Sequence, residues 1–474
     1  MVARRGLLAL IASAVVMIPA TAGGVEDPTG TMASANVSLL ATIPNPGVIG
    51  ARFDRGVMYV TGLGGLTTYD ISDPAAPAQL GTLALPHFEN EDVDLGGDIL
   101  LISNDAAEST GILYVVDVSD PAQPALLSTH QMGGNPLFGG PGHTASCILA
   151  CRFAWVTDGG GIRVIDLRVP AAPVNLGTFA TPVGGLAAHD VQVDRAGIAW
   201  VAGFDGTAGY RIPSNYARAV TQTFDMTAYH DGLLAARTDP AASQSTYDDF
   251  GSGDELGLGD GGNLNDFIHH NSRRLGRDDV VFITEEDYTR PGCRGAGSFQ
   301  TWSLPLVEKK RKPTGQDLQP MDSWTTELLA DAAQPAAVCS AHYFDVRKNV
   351  VAQGWYEQGV RLLDVHDPSD IRQIGYFIPP TSATWAAYFA PTDPAGRILY
   401  SLDAGRGIDI LEFDRPTIGP LSERGGRCKG MSQKECAEHT APTVTAPIKM
   451  EWQAVAPTTG AASPTFGYAC RISL

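Results

Sequence analysis

The chain has 474 residues, with 52 Asp and Glu against 33 Lys and Arg, and a formal net charge of −19. An acidic surface repels both the phosphates of nucleic acid and anionic lipid headgroups, so neither is expected as a partner. The length alone suggests several domains, but internal repeats stack on their neighbours and turn that expectation into one large domain.

Residues 1–22 have the layout of a cleavable signal peptide: Arg4-Arg5, an apolar run from Leu7 to Pro19, then Ala20-Thr21-Ala22 before Gly23. The paired arginines loosely resemble a twin-arginine signal, although the general secretory route ranks first, and a secreted, extracytoplasmic product is expected either way. No Cys follows the apolar run to carry a lipid. No later stretch reaches the roughly 20 apolar residues that span a bilayer. A free monomer is the expectation.

Residues 23–37 read as a polar leader, and residues 38–415 repeat. The unit is a buried-strand run that ends in Asp-Pro, followed by a new strand, as in Gly111–Thr129; close copies begin at Leu66, Ile162 and Val360. Pro cannot donate to a strand ladder, so each Asp-Pro breaks one strand from the next. The full pattern recurs seven times, starting near Ala51, Glu91, His143, His189, Phe267, His342 and Trp385. Units of this length, strand-rich and almost without helix signals, predict an all-β protein, a seven-bladed β-propeller. Ser38–Thr42 is predicted to complete the last blade as its outermost strand, because closure removes unpaired edges.

Two stretches fall outside the repeat. Residues 226–265 are rich in Gly, Asp and Ser and are predicted to form an acidic insertion. Its clustered carboxylates also allow a calcium loop, although the spacing matches neither the EF-hand nor the glycine-aspartate nonapeptide. Residues 416–474 are predicted to be a disulfide-tied C-terminal extension holding Cys428, Cys436 and Cys470, an odd set whose pairing the sequence does not give. In an exported chain Cys147 and Cys151 are expected to bridge one turn, and Cys293 and Cys339 to bridge two successive blades.

The candidate site comes from where the histidines fall. His143, His189, His270 and His342 each stand near the start of a unit, and Glu91 stands at the matching place in the second. The first strand of a propeller blade lines the central channel, so residues at matching positions converge on the axis. Neutral imidazoles suit copper, iron or zinc, copper ranking first, with Glu91 as a fifth ligand or an acceptor for an imidazole N–H. His269 and His270 point to opposite faces of their strand, and His270 is assigned to the axis. His87, His130, His230, His366 and His439 fall on edges, insertions or the tail. Asp117, Asp166, Asp364 and Asp409 recur within strands and are read as turn caps rather than catalysts. No nucleophile elbow, phosphate loop or zinc-protease helix is present, and no catalytic residue is assigned.

Tyr114-Val-Val-Asp-Val-Ser-Asp-Pro and Arg163-Val-Ile-Asp-Leu resemble the LVIVD repeat of exported bacterial β-propellers, a likeness that covers roughly residues 40–415. A more distant similarity, to selenium-binding proteins and methanethiol oxidases, implies a copper-dependent oxidase, but that family's own signatures are missing here and no substrate is carried over. The leading function is therefore a metal-dependent oxidoreductase acting on a small molecule. The alternative is a non-catalytic adhesion or scaffold module that holds an extracellular protein or glycan. A lactonase-like metal hydrolase ranks third, because such sites draw on Glu, Asp and Asn with calcium. The sequence leaves the choice between enzyme and binder open.

Overall fold

The apolar run of each unit becomes a strand buried on both faces, because its sheet is sandwiched between two others. Leu100, Leu101 and Ile102 are fully buried, as are Ala199, Trp200 and Val201. The computed structural model describes residues 31–416, apart from short breaks and the longer stretches 212–248, 254–267, 287–296 and 327–339, together with residues 450–454 and 468–472. All regular structure among the described residues is β-strand, and no helix there is long and apolar enough to cross a membrane.

The first unit supplies Val48–Asp54, Val57–Gly62, Gly65–Asp70 and Ala78–Ala84, paired antiparallel in chain order. The second unit, from Asp92–Gly96 to Ala125–Gly133, and the third, from Ala145–Ile148 to Val174–Ala180, repeat this order. In the fourth, Ala188–Val193, Ile198–Gly203 and Gly206–Arg211 are completed by Asp249–Gly253, which lies inside the segment predicted as an insertion. The fifth places a two-stranded ribbon, Leu306–Lys309 with Lys312–Gly315, before its outer strand Gln319–Trp324. In the last, Thr384–Phe389, Ile398–Asp403 and Gly407–Phe413 pair with Val37–Pro44 from the start of the propeller, the closure that Ser38–Thr42 predicted.

The expectation of a seven-bladed β-propeller is corrected. The structure has six four-stranded blades rather than seven, and the remaining sheet of the ring is five-stranded. That sheet comprises Phe344–Arg347, Val350–Gly354, Val360–Asp364 and Arg372–Ile378, with Met32–Ala33 added at its outer edge. The extra strand comes from residues read as leader. Ser34 holds it there, its N–H donating to Tyr376 O at 3.0 Å and its Oγ accepting from Tyr376 N at 3.0 Å.

Apolar clusters fill the junctions between successive sheets. Phe153 and Trp155 pack against Val191 and Val201, and the ring closes where Met58 and Val60 meet Tyr388, Tyr400 and Ile408. Truncating one such buried aromatic to Ala would cost about 3–5 kcal/mol. The repeated Asp residues act as turn caps: Oδ1 of Asp70, Asp117, Asp166 and Asp364 accepts from the backbone N–H two residues on, at 2.7, 2.8, 3.0 and 3.1 Å. Asp409 is different, pairing with Arg406 at 3.0 Å and Thr42 at 2.6 Å. The proline turns that follow these strands also lock neighbouring sheets, since Thr68 donates to Pro121 O at 2.6 Å and Ser128 to Pro170 O at 2.7 Å.

Cys147 and Cys151 form the expected disulfide. It closes a turn in which Leu149, Ala150 and Cys151 have φ of 53°, 55° and 57°, left-handed values that side chains disfavour. Cys293, Cys339, Cys428 and Cys436 lie outside the described residues, as do residues 1–22, predicted as a signal peptide, and the predicted calcium loop apart from Asp249–Gly253. Of the C-terminal extension, Met450–Ala454 pairs with Tyr468–Ile472.

Candidate metal centre

The innermost strand of each sheet starts at the same end of the central channel, and bulges decide which side chain there reaches the axis. Register shifts fall between Ala188 and Asp190 and between His269 and Asn271, so His189 and His270 are the extra residues of their strands. A bulge re-aims a side chain in this way. His269 points between sheets instead, with Nδ1 3.0 Å from Thr207 Oγ1 and its ring 6.0 Å from that of Trp302.

The structure brings His143, His189, His270 and His342 into one arc. Successive ring centroids are 4.2, 4.4 and 4.0 Å apart. His270 and His342 are buried, His189 nearly so, and His143 is partly exposed. Burial and mutual repulsion hold His189 and His270 well below the ordinary imidazole range, and burial takes His342 to about 3. These rings are therefore neutral at neutral pH, the form in which a ring nitrogen offers a lone pair to an ion.

Backbone contacts fix two tautomers. His189 Nδ1 lies 3.1 Å from His270 O, and His342 Nδ1 lies 2.9 Å from Trp385 O. A carbonyl only accepts, so both Nδ1 atoms carry the proton and both Nε2 atoms present a lone pair. His143 Nε2, 2.9 Å from His189 Nε2, must then be the donor of that contact. Neither ring nitrogen of His270 has a hydrogen-bond partner among the described residues.

Two buried carboxylates join the arc. Glu91 Oε1 is 3.6 Å from His342 Nε2, and Glu286 reaches His270 Nε2 at 3.9 Å through Oε2 and His342 Nε2 at 4.0 Å through Oε1. Glu91, His270 and His342 form one triad, and His189, His270 and Glu286 another, each with ligand atoms within 4.8 Å of one another. Two ligands on one ion are separated by at most about 4.2 Å, twice a bond of about 2.1 Å, so the closest pairs already sit at workable separations. The donor set also fits by charge, because one divalent ion offsets two carboxylates in a wall of neutral imidazoles.

Sequence reasoning missed Glu286 and Tyr356. Tyr356 O–H donates to Glu286 Oε1, and its ring lies 5.0 Å from that of His342. The signal for Glu286 was present, since the apolar strand Val280–Glu286 ends in two acids that are both buried. Glu285 turns into the sheet, accepting from Gln300 at 2.7 Å, while Glu286 faces the axis. The remaining described histidines lie elsewhere: His87 donates its backbone N–H to Leu63 O at 3.3 Å, His130 is on the outer strand Ala125–Gly133, and His366 meets Asn349 at 3.2 Å in a turn.

Further along the channel a hydrogen-bonded layer lies next to the cluster. Arg52 donates to Asp92 at 3.3 Å and Gln192 at 3.4 Å, and Asn271 donates to Asp190 at 2.9 Å. Burial raises Asp92 to about 6 and holds Asp190 well above the carboxylate range, with the nearby Asp92 charge adding to the latter. A cavity of about 110 Å³ follows, lined by Arg52, Arg273, Tyr343 and Tyr388 among others.

Comparison with known proteins shows LVIVD repeats at residues 57–84 and 106–131. No curated protein matches. Among solved structures the chain is similar to the β-propeller domain of Cps50 (Swd1) from Myceliophteria thermophila, at 10% identity and a TM-score of 0.51, over 80% of this chain and 100% of that one. A computationally designed protein, Ika8, is matched at 10% identity and a TM-score of 0.44, over 79% of this chain and 99% of that one. The first of these likenesses shows the propeller fold and nothing about function.

Proposed function

We propose that the chain is an extracytoplasmic, metal-dependent oxidoreductase whose axial site takes one transition-metal ion, copper first, then iron or zinc. His189 and His342 bind it through Nε2, His270 through a ring nitrogen, and Glu91 and Glu286 through their carboxylates. The observation that carries this reading is the arc of buried neutral imidazoles closed by two carboxylates. Such groups are costly to bury without an ion and well suited to hold one. His270, buried with no hydrogen-bond partner at either nitrogen among the described residues, is the sharpest instance.

A bound copper or iron ion would supply one-electron chemistry for a small substrate. The lone pair of His189 Nε2 that accepts from His143 is the one an ion would use, so holding an ion there would require that hydrogen bond to open. His143, partly exposed, would then stand beside the ion as a hydrogen-bond donor rather than as a further ligand. Titrating the metal-free protein with Cu(II), Fe(II) and Zn(II) in a calorimeter tests this. One ion per chain, lost in a His189→Ala, His342→Ala double variant, followed by electron transfer to oxygen or an artificial acceptor, supports the reading. No uptake of any of the three ions removes it and leaves a non-catalytic binding propeller as the better account.

A further inference from the structure

Tyr356 is built into the site at a cost to its own backbone. Its φ is 33°, a left-handed value that a bulky side chain rarely adopts. Residues in such conformations persist where the surroundings over-determine them. Here three donors converge on its carbonyl: Ser382 Oγ at 2.6 Å, Thr384 N at 2.9 Å and Gly359 N at 3.2 Å. The ring is held between His342, 5.0 Å away, and Trp385, 5.5 Å away. The outcome of this clamping is that the phenol O–H reaches Oε1 of Glu286.

We propose that Tyr356 is a positioning residue for the metal centre: its phenol holds Oε1 of Glu286, so that the carboxylate meets the ion through Oε2 alone. This rests on the metal reading above. Oε2 faces His270 at 3.9 Å, whereas Oε1, 4.0 Å from His342, is taken up by the phenol. A carboxylate with both oxygens unrestrained can chelate and fill two positions on an ion; one with a hydrogen bond on Oε1 fills one and leaves a position for substrate. Partners that orient ligands in this way typically change metal affinity about 10- to 100-fold when removed.

Phe at this position keeps the ring contacts with His342 and Trp385 and removes only the hydroxyl. The test loads the metal-free protein with Co(II) and measures its visible spectrum and its affinity against a competing chelator. Wild type, Tyr356→Phe, Glu286→Gln and the double variant are compared. Tyr356→Phe is expected to change affinity about 10- to 100-fold. Its visible bands should weaken as Glu286 closes on the ion with both oxygens and the coordination number rises. The double variant should match Glu286→Gln alone, because the phenol acts through that carboxylate. A Phe variant with the wild-type spectrum and affinity overturns the proposal, as do effects of the two substitutions that simply add. Wild-type protein that takes up no cobalt overturns the metal reading itself, and this inference with it.

Discussion

The adjacent residues His269 and His270 offer a paired substitution whose outcomes should cross. Both are fully buried. His269 has Thr207 as its partner at 3.0 Å, whereas His270 has no hydrogen-bond partner among the described residues. Replacing His269 with Leu strands the buried Thr207 hydroxyl, offset in part by removal of the ring's own Nε2, which has no partner among the described residues, and should cost about 1–2 kcal/mol, with or without metal. Replacing His270 with Leu removes two unsatisfied nitrogens, each of which costs on the order of 1 kcal/mol to bury, and loses ring contacts worth about 0.5–1.5 kcal/mol each. About 2 kcal/mol recovered stands against roughly 1.5–4.5 kcal/mol for its three ring contacts, so metal-free stability should change by at most about 2.5 kcal/mol. With metal the difference is large. An ion at a hundredfold excess over its Kd stabilises the native state by about 2.7 kcal/mol, and His270→Leu should lose all of that while His269→Leu keeps it. Urea denaturation of the three proteins, with and without saturating metal, reads both effects. A His270→Leu protein that is several kcal/mol less stable without metal would refute the reasoning, as would a His269→Leu protein that no longer responds to metal.

Three further outcomes are expected. Metal-free stability should fall with acid in a way the buried histidines set. His269 and His342 are held at about 3 in the folded protein, so the unfolded chain takes up their protons first. Their contribution is complete above about pH 6.5 and is lost toward about pH 3, at about 1.4 kcal/mol per pH unit per histidine. Asp92 and Asp403, raised to about 6 by burial, act in the opposite sense between about pH 4 and 6. The difference between wild type and His269→Leu, followed by denaturation between about pH 5 and 7, isolates the histidine slope. Replacing Cys147 and Cys151 with Ser should cost about 2 kcal/mol for so short a loop, read as a lower denaturation midpoint. Asp117→Ala should cost about 1 kcal/mol through loss of its turn cap and leave metal uptake unchanged in a calorimetric titration.

Most of the fold was legible because one repeat carries it. A period-two or continuous apolar run followed by Asp-Pro marks both the strand and its end, and the capping role of Asp117, Asp166 and Asp364 follows from the same motif. The departures came from residues without that signature. Met32–Ala33 is a short edge strand held by the Ser34 hydrogen bonds rather than by an apolar pattern, and Asp249–Gly253 is Gly-rich and polar. At the site, the four histidines could be aligned because each starts a unit. Glu286 and Tyr356 could not, since one closes the second strand of its sheet and the other stands in a turn, positions that only the closed ring brings to the axis. Alternation allowed only one of His269 and His270 to face the axis, the choice of His270 rested on how the residues after it align with the other units, and the bulge before Asn271 gives it a physical basis.

The most direct test of the central claim is an anomalous difference map from crystals of metal-loaded protein, collected at the absorption edge of the bound ion. The account predicts a single strong peak on the propeller axis, in contact with His189, His270, His342, Glu91 and Glu286, and its absence in the His189→Ala, His342→Ala variant. A peak confined to the surface or to the Asp-rich segment between residues 226 and 265, or no peak with the ion in excess, would contradict it.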